Sequence, residues 1–140
     1  MEEAEKVFVN SVSVKLEKVE YELKNDLEEG LEIHAVDALK LVSCDTKHFI
    51  VRITRSLIFE PKEYYYLSVS SLIDFRIDEK TLTFFKNKEE IESYVSNKLS
   101  VFVEKTPILT SVSLLISQIT STFGRFPVIP PPNVIKSETK

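Results

Sequence analysis

Apolar residues alternate with polar ones through much of the first 85 positions, then recur every three or four residues from 91 to 123. The first pattern belongs to half-buried strands and the second to amphipathic helices. Residues 7–24 predict one long strand. Val12, Val14 and Leu16 alternate in one phase, and Val19, Tyr21 and Leu23 in the other. A phase flip inside one strand requires an extra residue, so a bulge is expected near Glu17-Lys18. Asn25-Asp26 and Glu29-Gly30 mark a loop. A second strand follows from Glu32 to Ser43, with Ile33, Ala35, Leu39 and Leu41 as its apolar members. After a turn at Cys44–Lys47, a third strand carries Phe49, Val51, Ile53, Leu57 and Phe59, and Arg55 breaks its apolar series. Glu60-Pro61-Lys62-Glu63 reads as a hairpin turn with Pro61 in its second position. The fourth strand sets Tyr65, Leu67, Val69, Ser71, Ile73 and Phe75 on one face, against Tyr64, Tyr66, Ser68 and Ser70 on the other. Short connections between such runs predict antiparallel neighbours.

Asn87 is placed to cap a helix whose first turn holds Glu89 and Glu90, where negative charge complements the helix dipole. Ile91, Tyr94, Val95, Leu99 and Phe102 continue it. Thr106 and Pro107 open a second helix. Leu109, Val112, Ile116, Ile119 and Phe123 form its apolar seam, its other face is rich in Ser and Thr, and Gly124 is positioned as its C-cap. The run 125–135 holds four prolines, so it should lie extended with Phe126, Val128, Ile129, Val134 and Ile135 available to pack. The fold class expected is α+β: a four-stranded antiparallel sheet followed by two helices packed on one face. Residues 7–135 read as one domain, with 1–6 and 136–140 as loose ends.

Composition narrows the functional classes. The chain has 140 residues, enough for one core without staples. A net charge of -4 argues against a nonspecific nucleic-acid binder, which needs a basic footprint. Two glycines exclude Gly-rich phosphate loops, and a single cysteine excludes an intrachain disulfide. No secretory signal pattern opens the sequence. The uncharged stretch from Thr106 to Gly124 has the length of a membrane span but too many hydroxyls for one. A soluble cytoplasmic protein is expected, with no nucleic-acid or membrane partner.

No nucleotide, hydrolase or zinc-protease motif is present, and neither catalytic residues nor a cofactor or metal is expected. Cys44 and His48 flank a turn and could meet across it as a thiolate or metal pair, against the plainer reading of a strand-end cysteine beside a surface histidine. His34 sits in a strand with no evident partner. Glu17, Glu20 and Glu22 form either a solvated face or an acidic docking surface for a basic partner. A sheet with helices on one side leaves its other face uncovered. Ile58, Tyr64, Tyr66 and Leu72 should populate that face and be covered by a two-fold contact. Val112 and Ile116 on the second-helix seam offer another interface, giving a homodimer or a homotetramer built as a dimer of dimers.

The layout of four strands, a short helix, a long helix and a Pro-rich apolar tail resembles the SecB-like family of export chaperones. The residues that carry the likeness are Phe123-Gly124-Arg125-Phe126-Pro127-Val128-Ile129, then Pro132-Asn133-Val134-Ile135, together with Glu17-Lys18-Val19-Glu20-Tyr21-Glu22 in the first strand. The resemblance implies an ATP-independent holdase for unfolded or nascent clients. It implies that the acidic first strand contacts a translocase motor. Such a protein could instead be an adaptor for one specific partner, as in toxin–antitoxin systems. The client groove expected between sheet and helices is lined by Phe75, Phe84, Phe102, Leu109, Phe126 and Val128.

Overall fold

A computed structural model describes residues 9–26, 30–123, 128–131 and 134–135. The expectations for 1–6, Gly124, Phe126 and 136–140 lie outside these residues, as does the side chain of Phe123. Four antiparallel strands, β1 (Val9–Leu23), β2 (Glu32–Cys44), β3 (His48–Glu60) and β4 (Tyr65–Ile77), form a single sheet in the order β1-β4-β3-β2. A 3-10 turn (Glu79–Phe84) leads into α1 (Lys88–Ser96), α2 (Leu99–Glu104) and α3 (Ile108–Phe123).

The strand order corrects one expectation. β2, β3 and β4 are successive hairpin neighbours, but β1 pairs with β4 rather than β2. This is the Greek-key arrangement read in reverse. The segment between β1 and β2 must therefore cross the ends of two strands, a gap of about three strand spacings or ~14 Å. Eight residues reach that distance easily at up to ~3.3 Å each. Lys24 and Asn25 donate backbone N–H bonds to the Tyr64 carbonyl at 2.9 and 3.0 Å, which pins the departing chain to the start of β4.

β3 and β4 carry the core. Phe49, Val51, Ile53, Leu57 and Phe59 from β3 share one face with Leu67, Val69, Ile73, Phe75 and Ile77 from β4, all buried. The helices supply Ile91, Val95, Phe102, Val103, Ile108, Leu109, Val112 and Ile116 from above. Phe102 anchors the two layers: its ring lies 5.2 Å from Phe49 and 5.9 Å from Phe75. Asn87 caps α1 as expected, accepting a bond from the Glu90 N–H at 2.9 Å. The first expected helix is interrupted at Asn97-Lys98, so there are three α-helices rather than two. Ser93, Ser96 and Asn97 sit at that end of α1, where such side chains compete with helical hydrogen bonding.

The most consequential feature is a buried ion pair. Arg55 and Asp37 stand opposite each other on β3 and β2, on the helix side of the sheet. Both side chains are wholly buried. Arg55 Nε and Nη2 each donate at 2.7 Å to the two Asp37 carboxylate oxygens. Arg55 Nη1 also donates to Ser113 Oγ on α3 at 2.9 Å and to the Pro131 carbonyl at 2.6 Å. Asp37 in turn accepts the Ile135 N–H at 2.7 Å, while its own N–H donates to the Ile135 carbonyl at 2.8 Å. One pair thus holds two strands, a helix and the tail. Val128 N–H on Thr120 Oγ1 (2.7 Å) and Val134 N–H on Glu104 (2.9 Å) complete the attachment. The described parts of the tail therefore pack on their own chain and meet the free edge of β2 at Asp37.

Removing one member strands the other charge in the core, at a cost of about 3–5 kcal/mol. Arg55→Met should lower unfolding free energy in urea by that order, and the double variant R55M/D37L should recover part of it. A single-variant loss below about 1 kcal/mol would show that the pair is not the clamp described.

Candidate functional site

Among the described residues, the largest run of apolar side chains left uncovered lies on β1. Val12, Val14 and Leu16 stand beside Phe75, Ile73 and Ser71 of β4; Val19, Tyr21 and Leu23 stand beside Val69, Leu67 and Tyr65. All six therefore face the helix side of the sheet. They do so because the register shifts between Leu16 and Lys18, which places Glu17 in a bulge and brings the two sequence phases onto one face. The expected bulge is where the phase flip put it. Unlike their β4 neighbours, these six are 40–60% exposed. The strip runs for roughly 35 Å along the strand.

The reason for that exposure is the placement of the helical layer. The Arg55–Ser113 bond and the tail on Asp37 hold α3 and the tail over β2 and β3. β1 lies two strand spacings, or about 10 Å, beyond β3, which is a full helix diameter. β1 is also an edge strand, and its outer backbone groups pair with no other described strand. On the helix side Tyr21 packs against Tyr65 with ring centroids 5.2 Å apart. Burial pushes the Tyr65 hydroxyl up to about 12, with Tyr21 and Tyr64 adding to it, and burial raises Tyr21 as well.

The expected groove is largely displaced by this arrangement. Phe75, Phe102 and Leu109 are buried to within 2% of full coverage, so they belong to the core and do not line a groove. Large aromatics at a strand-to-helix switch serve either purpose, and here three rings (Phe49, Phe75, Phe102) close on each other. Phe84 is exposed at the end of the 3-10 turn, Val128 is half-buried beside Thr120, and Phe126 lies outside the described residues.

The acidic trio does not form a negative patch. Glu17 is held by a bidentate pair with Arg52, both bonds at 2.8 Å, which keeps its carboxyl below the usual range. Glu20 lies 3.2 Å from Lys18, and Glu22 2.9 Å from Lys24. The uncovered sheet face is likewise less apolar than expected. Ile58, Tyr66 and Leu72 are on it, but its centre is Thr54, Ser56, Ser68 and Ser70, with Thr54 and Ser70 hydroxyls 2.9 Å apart. Tyr64 leaves that face and packs against Phe59 and Tyr65. Val112 and Ile116 are buried under their own helix, so they have no surface for a second subunit.

Cys44 and His48 point to opposite faces. Cys44 pairs with Phe49 on the core side, after a register shift at Leu41/Ser43, whereas His48 pairs with Arg76 on the other. His48 instead lies 3.0 Å from Asp74, and burial pushes the Cys44 thiol up to about 11. At neutral pH that thiol is almost wholly protonated and a poor nucleophile. Among the described residues, Glu32, His34 and Glu60 are the one group whose ligand atoms lie close enough to share an ion, all exposed. No helix among the described residues is long and apolar enough to cross a membrane.

No protein-family model and no curated protein sequence matches the chain. Solved structures do. The Mycobacterium tuberculosis Rv1957 SecB-like chaperone, in complex with a ChAD peptide from the Rv1956 HigA1 antitoxin, aligns over 85% of this chain and 86% of that one. The TM-score is 0.56 at 10% sequence identity. A protein of unknown function from Streptococcus agalactiae aligns over 87% of this chain and 98% of its own, at 13% identity and a TM-score of 0.36. The first of these likenesses, together with the strand order, the helices and the tail described above, gives this chain the SecB-like fold.

Proposed function

We propose that this protein is a nucleotide-independent chaperone that holds extended apolar segments of other proteins along the β1 strip. The observation that carries the reading is the six-residue apolar face, left 40–60% exposed on an edge strand beside β4, whose side chains on the same face are buried. A contiguous patch of that kind marks an interaction surface. A client in extended conformation has side chains at the same ~6.8 Å two-residue spacing as the strip and can lay one face along it. Affinity then scales with apolar area removed from water, at about 25 cal/mol per Å². Such binding is sequence-tolerant and reversible by mass action.

The solved relative of the same fold binds a peptide from an antitoxin. That favours a second reading, in which this chain serves one dedicated protein partner through the same strip. The two differ in breadth of clients and not in the surface used. Docking of a translocase motor or another basic partner on Glu17, Glu20 and Glu22 is not part of either reading, since basic side chains are interspersed with these carboxylates and the row concentrates no negative charge.

The strip is completed by a second copy of the chain. The β1 sequence is palindromic in character about the Glu17-Lys18 bond. Antiparallel pairing of two β1 strands centred there sets Leu16 against Val19, Val14 against Tyr21 and Val12 against Leu23. It also sets Lys15 against Glu20 and Glu17 against Lys18. From Val12 to Leu23 every apolar residue meets an apolar one, and Lys15, Glu17, Lys18 and Glu20 each meet an opposite charge, while Glu22 meets Ser13; that is the complementarity a two-fold contact requires. Backbone groups in the sheet plane make the dimer, while the strip's side chains, perpendicular to that plane, remain free for clients. The two strips become the floor of one trough in an eight-stranded sheet.

Light scattering of a chemically unfolded client tests the function. The protein should suppress aggregation without ATP and saturate near one client per oligomer. Val14→Ser with Tyr21→Ser should weaken suppression while far-UV circular dichroism is unchanged. Full suppression by that variant would place client binding elsewhere.

Sedimentation tests the dimer. Lys15→Glu and Glu20→Lys should each weaken self-association roughly tenfold by facing like charges, and an equimolar mixture of the two should restore it. Failure of the mixture to associate would rule out this register.

A further inference from the structure

We propose that the Glu17–Arg52 ion pair is a register lock that sets which side chains β1 presents on the binding strip. The inference rests on the strip reading above and concerns how that face is kept apolar.

β1 is held at its C-terminal end by Lys24 and Asn25 on the Tyr64 carbonyl, and toward its start, just after a first register shift at Asn10, by pairing of Ser11 and Val12 with Arg76 and Phe75. Between these pins, at Leu16 to Lys18, it contains one residue more than β4 opposite. With both ends pinned, that extra residue must be accommodated, but its place along the strand is a separate question. If the bulge moved two residues toward the start, Leu16 would turn to the polar face. If it moved as far toward the end, Val19 would turn, and Lys18 would enter the strip in its stead. A side-chain period of two makes each such step a complete inversion.

In a buried strand the apolar pattern alone would prevent this. Here the strip residues remain 40–60% exposed, so the difference in burial between registers is roughly halved. Something else must fix the bulge. Glu17 is the bulge residue itself. Its carboxylate reaches across β4 to Arg52 on β3, where Nε and Nη2 donate to its two oxygens at 2.8 Å each. Arg52 stands opposite Leu72, and Leu72 opposite Lys15, so the pair spans the width of β4 on the polar face. The planar fork of Arg52 matches a carboxylate in one orientation, which gives the contact directional as well as electrostatic preference. Arg52 touches neither the strip nor the proposed two-fold edge. It is a positioning residue.

The experiment measures register and client capture separately. The register readout is the pair of cross-strand nuclear Overhauser contacts Leu16–Ser71 and Val19–Val69: a bulge shifted toward the start of β1 breaks the first, and one shifted toward its end breaks the second. Arg52→Met should lose at least one of them and lose suppression of client aggregation, with far-UV circular dichroism retained. The exchanged double variant, E17R/R52E, should restore the contacts; it is read for register alone, because the introduced arginine faces Lys18 of the second copy across the two-fold edge. Arg52→Lys, which keeps charge but lacks the fork, should restore contacts and capture in part. Should R52M keep both contacts, the lock is overturned, whether or not capture changes. Loss of a contact with capture unchanged would support the lock and remove the strip as the client site. Should R52M fail to fold, Glu17→Gln, which breaks the charge with little change in shape, replaces it in the same two measurements.

Discussion

The buried Arg55–Asp37 pair is the constraint from which the rest of the architecture follows. Two charges cannot be left in a core unless each is fully met by partners. Asp37 faces Arg55 in register, but a guanidinium has five donors, and two are used on the carboxylate. Others are met only when α3 brings Ser113 overhead and the tail brings the Pro131 carbonyl. The remaining demand of Asp37 is met by the Ile135 N–H. The pair is thereby a location device. It fixes α3 and the tail over β2 and β3 and brings the tail to the β2 edge at Asp37. The same act leaves β1 outside the helical layer, with its apolar side chains half in water.

The parts of the fold governed by short-range periodicity were legible. The bulge at Glu17, the four strands, the Asn87 cap and the α3 seam all follow from spacing within one element. What escaped depends on relations between elements. β1 was expected beside β2, because the short loop hides a crossing over the strand ends. Phe75 and Phe102 were expected to line a groove, because an aromatic cluster looks alike whether it closes on itself or stays open. The sharpest missed signal was Arg55. It interrupts the apolar phase of β3 just as Asp37 interrupts that of β2, between Ala35 and Leu39. Two opposite charges, each on the core phase of a neighbouring strand, are more informative together than either alone.

The two edges of the sheet are treated differently, and that difference separates structure from function. An open edge with apolar flanks is an aggregation hazard that folded proteins usually blunt. The β2 edge is met at its middle, at Asp37, by the chain's own tail. The β1 edge has no proline in its 15 residues. Its lysines and glutamates are interspersed along the polar face and match each other locally, so they do little to repel a similar strand. Such an edge persists in a stable protein when something occupies it, and a self-complementary copy is the occupant that its charge order describes.

On that reading the exposed strip and the unprotected edge are one design. Six side chains of Val, Leu and Tyr at partial exposure forgo roughly half the ~1.5–3 kcal/mol each would contribute if buried. That forgone stabilisation is then available to a client, which gains it only by supplying the apolar surface the helices do not. A strip of aliphatic residues with few polar groups recognises alternation and not sequence, so discrimination between clients must come from the rim. Lys15 and Lys18 lie on the opposite face of β1, so selectivity for one partner depends on residues that flank the strip on its own side, while capture itself depends on the bulge keeping all six apolar residues on one side.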